Sequence, residues 1–76
     1  MIKEDKKENI YIIEVLINKY EKYYLADYDF SLSKNKRDAV IFIKENNAYK
    51  LASIIETKYK EALGKVRAEN IEDVIY

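Results

Sequence analysis

Apolar side chains recur along the first third of the chain at steps of three and four. Ile10, Ile13, Ile17, Tyr20, Tyr24 and Tyr28 form one series, with Leu16 and Tyr23 on its flank. On an α-helix that spacing gathers into a single buried stripe. Asp5 and Glu8 stand ahead of it with capping-box spacing, a short acceptor followed three positions later by a carboxylate. The pattern predicts a first helix over about residues 6–26. Tyr11, Val15 and Leu25 fall off the stripe, toward the polar side, where only a second copy of the chain would cover them in a homodimer.

A second long apolar series, Ala48, Leu51, Ala52, Ile55, Tyr59, Ala62, Leu63 and Val66, predicts a helix over about residues 47–66. Glu56 with Lys60, and Glu61 with Lys65, are spaced to support it on the exposed side. Gly64, the only glycine, falls on that exposed side, either tolerated in the helix or ending it. Asn70 and Asp73 are placed to cap a short last turn.

Between these series the local signals conflict. Ser33 is placed to cap a helix over about residues 34–46 that buries Ala39, Val40, Phe42 and Ile43. Lys34, Lys36 and Arg37 would then lie in its first turn, where the helix dipole disfavours cations. The rival is a hairpin at about residues 28–43, since the run Asp27–Ser33 alternates polar and apolar and residues 39–43 are β-branched and aromatic. The expected fold is all-α: a three-helix bundle with a short C-terminal turn, and α+β with that hairpin as the alternative.

Composition narrows the functions more than it names one. At 76 residues there is room for one domain and one small core. Histidine and cysteine are both lacking, which removes disulfides, thiolate chemistry and the usual ligands of zinc, copper and haem. No metal or other cofactor is expected. Fourteen basic and fourteen acidic residues leave no global field to attract nucleic acid or an anionic membrane. The charged start of the chain and the lack of a long apolar run predict a cytoplasmic protein with no membrane partner. Ile, Lys, Asn and Tyr make up 37 of the 76 residues and lysine outnumbers arginine 12 to 2, as A- and T-rich codons would produce. That points to a low-GC bacterium, or to a phage or mobile element living in one.

Candidate chemistry is sparse. Asp27, Asp29, Ser31 and Asp38 resemble positions 1, 3, 5 and 12 of an EF-hand loop. The glycine position holds Leu32, the bidentate Glu is replaced by Asp38, and three cations sit nearby, so the spacing favours a solvated loop. Residues 48–66 put Ala52 and Ile55 where a helix-turn-helix would, but Glu56 stands at its turn glycine and the helical pattern runs through. No phosphate loop, nucleophile motif or dinucleotide fingerprint is present, and no catalysis is expected.

Binding remains. Tyr23, Asp27, Tyr28 and Asp29 make an aromatic, acidic cluster suited to a basic groove on a larger host protein or nucleoprotein complex. The expected function is a non-enzymatic protein-binding module. Its concrete form would be a phage or mobile-element inhibitor of a host machine, of the anti-CRISPR or counter-defence type. The first alternative is a small DNA-binding regulator using Lys34, Lys36 and Arg37 on phosphates. The second is a structural homodimer burying Tyr11, Val15 and Leu25.

Overall fold

The computed structural model describes residues 9–70. Within them the chain is a four-stranded antiparallel sheet with one helix across it: β1 (Asn9–Ile17), β2 (Glu21–Leu25), β3 (Leu32–Ser33), α1 (Glu45–Lys58) and β4 (Ala62–Asn70). The strand order is β3-β2-β1-β4. The three-helix bundle is therefore overturned.

The segment expected as the first helix is a hairpin. Five of the nine residues of β1 are β-branched, and such side chains favour the pleated surface. Asn18 and Lys19 take left-handed backbone, φ 56° and 69°, as the central pair of a tight hairpin turn requires. The Tyr20 N–H closes that turn on the Ile17 carbonyl at 3.2 Å. Tyr20, expected in the core stripe, is 89% exposed at the hairpin tip, whereas Tyr24 is buried. Asp5 and Glu8 lie outside the described residues.

Register sorts the side chains onto two faces. Val15 stands opposite Tyr23 and Gly64, and Ile17 opposite Ala62. Tyr11, Ile13, Val15, Ile17, Tyr23, Leu25, Gly64 and Val66 thus face the helix. Ile13, Val15 and Leu25 pack there with Phe42, Ala48, Ala52, Ile55 and Ala62 as the main core. Val15 and Leu25 are fully buried in a single chain and Tyr11 is half-buried against it, so the homodimer surface drawn from these three does not exist. Ile12, Tyr24 and Ala39 form a smaller cluster on the opposite face.

Glu14 is also on that opposite face and is buried. Its carboxylate takes Arg67 from β4, with Nε at 3.1 Å and a terminal guanidinium nitrogen at 3.0 Å, and Lys22 from β2 at 3.5 Å. One charge in the central strand is thereby compensated from both neighbouring strands.

The middle of the chain is neither the helix expected at 34–46 nor the hairpin expected at 28–43. Ser33 belongs to β3; its hydroxyl donates to Asp38 and accepts from the Asn35 N–H. Lys36–Asp38 form a short 3-10 turn capped by Asn35. An extended stretch then bonds Val40 to Leu25 and joins Phe42 to Tyr11 by two backbone bonds of 2.8 Å, taking over beside β1 where β2 ends. Ala39 and Phe42 are buried as expected, but Ile43 is 73% exposed.

The helix expected at 47–66 stops early. Ala48, Ala52 and Ile55 are its buried stripe, it ends at Lys58, and Ala62, Leu63 and Val66 belong to β4. The expected pairing of Glu56 with Lys60 is replaced by a bond from the Gly64 N–H to the Glu56 carboxylate at 2.9 Å. The turn expected at Asn70 and Asp73 falls on the end of β4 and beyond the described residues.

Candidate functional site

The loop from Ala26 to Ser31, leaving β2, holds its shape through its own polar groups. Ala26 N–H donates to the Ser31 carbonyl at 2.8 Å, and Phe30 N–H to the Asp27 carbonyl at 3.2 Å. One oxygen of Asp27 accepts from the backbone N–H groups of Asp29, at 2.8 Å, and Ser31, at 3.1 Å. An aspartate that accepts from the backbone two residues on is a turn-former by construction. These bonds, first that from Ser31, hold the Asp27 carboxyl below its usual range and keep it ionised.

Phe30 takes left-handed backbone, φ 69°, and the Tyr59 hydroxyl donates to its carbonyl at 2.9 Å. Lys58 lies over the Phe30 ring, 5.5 Å from its centre. The end of α1 thus pins the loop from below.

Tyr28 stands on top of this frame, 63% exposed. Its ring meets that of Phe42 edge to face, with centroids 5.9 Å apart at 85°. Phe42 is buried and bonded to the central strand, so it is a firm support. Tyr28, Phe42, Asn47, Lys50 and Leu51 line an open cleft of about 280 Å³. Ile54, 45% exposed, lies one helical turn beyond Lys50 and Leu51.

Asp27, Tyr28 and Asp29 are therefore together on one loop. Tyr23 is separate: half-buried on β2, it donates its hydroxyl to Glu21 at 2.7 Å and carries Lys34 over its ring at 5.5 Å. The bond to Glu21 raises the Tyr23 pKa. From sequence Phe42 and Leu51 read only as core residues of two helices, and Lys50 does not stand out; their place beside Tyr28 was not legible, since they come from two distant segments. The turn-forming aspartate and serine around Tyr28 were the available signal.

The EF-hand spacing does not converge on a cation. Asp27 is turned to its own loop amides, and Asp38 accepts from Ser33 at 2.7 Å. Among the described residues no three His, Cys, Asp or Glu side chains could hold a metal. Nor do Lys34, Lys36 and Arg37 sit at an α-helix N-terminus: Lys36 pairs with Glu69 of β4 at 3.0 Å, and Lys34 lies on Tyr23. The anion site expected from free helix amides is not formed. No helix among the described residues is long and apolar enough to cross a membrane. No protein-family model, curated protein or solved structure matches the chain.

Proposed function

We propose that this chain is a non-enzymatic protein-binding module that docks on a larger partner through the loop bearing Tyr28. The observation that carries the reading is an exposed aromatic ring on a loop fixed beforehand by Asp27, Tyr59 and Phe42. A ring held in place costs little further entropy on binding, and tyrosine is enriched where interfaces concentrate their energy. The complementary surface is an apolar socket for Tyr28 with a cationic rim to meet Asp29. A standard interface covers about 800 Å² per partner. On a chain exposing 5217 Å² it extends past the loop onto Leu51 of the cleft and the exposed Ile54 one turn further along α1. Occupying a basic groove in this way is how an inhibitor of a nucleic-acid-handling host machine would act.

The test uses tagged full-length chain as bait in a low-GC bacterial lysate, with nuclease, beside the variants Tyr28→Ala and Asp29→Lys. Both changes are exposed, so the thermal midpoint should stay within a few degrees. The expected result is a partner retained by the parent chain and lost by both variants. A partner retained equally by all three refutes the loop as the site. Recovery of nucleic acid in the absence of nuclease, with no nuclease-resistant protein, refutes the reading altogether.

A further inference from the structure

We infer that β4 is a self-pairing edge: two copies of this chain join their β4 strands antiparallel about Arg67, giving one continuous eight-stranded sheet. The proposal goes beyond the docking loop and uses none of its residues.

The phase of the ladder shows which backbone groups are open. Asn18 N–H donates to the Glu61 carbonyl at 3.2 Å, so Leu63, Lys65, Arg67 and Glu69 turn their backbone groups toward β1. Gly64, Val66 and Ala68 turn theirs outward. The Gly64 N–H is taken by Glu56 at 2.9 Å, which closes the near end of the edge. Val66 and Ala68 have no neighbouring strand among the described residues, where β4 is last in the sheet order. An open row of this kind is a template for another strand.

Charge complementarity selects a second copy as the occupant and sets the register. With Arg67 on the two-fold axis, Val66 faces Ala68 of the second copy, and each such pair exchanges two N–H···O=C bonds. On the helix side these two modest apolar side chains meet, with Gly64 facing Asn70 beyond them. On the opposite side Lys65 faces Glu69 of the second copy, twice by symmetry. Lys65 has no ion pair among the described residues, and Glu69, already 3.0 Å from Lys36 of its own chain through one oxygen, would take Lys65 as a second cation; each Arg67 is folded back onto its own Glu14 at 3.0 Å and stays compensated where the axis brings the two together. Moving the axis to Val66 sets Lys65 against Arg67, a like-charge pair made twice.

Sedimentation of the full chain from micromolar to submillimolar concentration tests this, beside Lys65→Glu, Glu69→Lys, their double variant and Val66→Pro. Each reversal also sets a like charge against its own chain, Lys65→Glu opposite Glu14 and Glu69→Lys beside Lys36, so urea unfolding of each variant is measured alongside. In protein that remains folded, each turns two attractive pairs across the axis repulsive and should weaken the dimer about tenfold or more. The double variant restores opposite charges and should recover the parent affinity to within a few-fold. Proline at Val66 removes an outward donor that the β1 ladder does not use, so it should abolish the dimer while the circular dichroism spectrum keeps its sheet signal. A chain monomeric throughout the range overturns the proposal. So does a dimer indifferent to Val66→Pro, or a double variant no tighter than the singles.

Discussion

At Gly64, β4 passes close against Ala52 of α1, and the structure sets the size of the effect of filling the gap. A Cβ built there would lie 2.9 Å from the Ala52 carbonyl oxygen and 3.2 Å from both its Cα and Cβ. None of these atoms is the end of a flexible side chain, so α1 or β4 must move by several tenths of an ångström. Overpacking of that kind costs about 1–3 kcal/mol. The Gly64 backbone is not left-handed, so alanine adds no dihedral strain, and its smaller unfolded-state freedom returns about 0.4–1 kcal/mol. The net loss for Gly64→Ala then lies between about 0 and about 2.6 kcal/mol, centred on about 1.3, which for a domain of this size lowers the melting temperature by roughly 5–10 °C at the centre of that range. Thermal unfolding followed by circular dichroism measures it. The double variant Gly64→Ala with Ala52→Gly should show less coupling loss than the two singles summed, because one of the three close atoms is removed. A Gly64→Ala protein melting at or above the parent temperature would refute the close approach of α1 to β4.

Two further outcomes follow from groups on either side of the sheet. Arg67→Ala leaves buried Glu14 with only Lys22 at 3.5 Å and should cost about 1–3 kcal/mol in urea unfolding; Lys22→Ala, removing an exposed and longer contact, should cost under about 1 kcal/mol, and the reverse ranking would show that Glu14 does not depend on Arg67. Asp27 has its folded-state pKa lowered below 3.8 by the Ser31 and Asp29 amides, so its stabilising effect is present above the unfolded value and is lost as pH falls through the folded one. Carboxyl-detected NMR titration should give a midpoint below 3.8, with the Asp29 and Ser31 amide shifts moving in step; a midpoint at or above that value means the loop is not held by this carboxylate.

The helical misreading of the chain ends has a definite cause. Ile13 and Ile17, Tyr20 and Tyr24, and Ala62 and Val66 are four residues apart. Side chains at that spacing share a face on a helix and on a strand alike. The discriminating residues are those two apart: Val15, set aside as polar-facing, is buried between Ile13 and Ile17 on the same face of β1. Because Ile10 and Ile12 are buried on the other face as well, β1 does not alternate as a half-exposed strand would. The turn at Asn18 and Lys19 was masked in the same way, since lysine is an unusual residue for a left-handed position. Residues 47–58 were legible as helix because Ala48, Ala52 and Ile55 combine steps of four and three, which a strand cannot place on one face. Of the proposed docking loop, sequence supplied Asp27, Tyr28 and Asp29. It did not supply Phe42 and Leu51, which reach Tyr28 only through the path of the chain around β1.

The exchange of partners along β1 also dictates an order of events. Its neighbour β2 follows within a few residues, but its other neighbour, β4, is the last of the described strands along the chain, and Glu14 waits for Arg67 across a separation of 53 residues. A chain emerging from the ribosome can close the β1–β2 hairpin early, yet it carries an unmatched carboxylate and a bare strand edge until β4 has been made. Completion of the sheet thus waits for β4, and of the described strands the first to be made, β1, is the one whose burial is finished only when the last arrives.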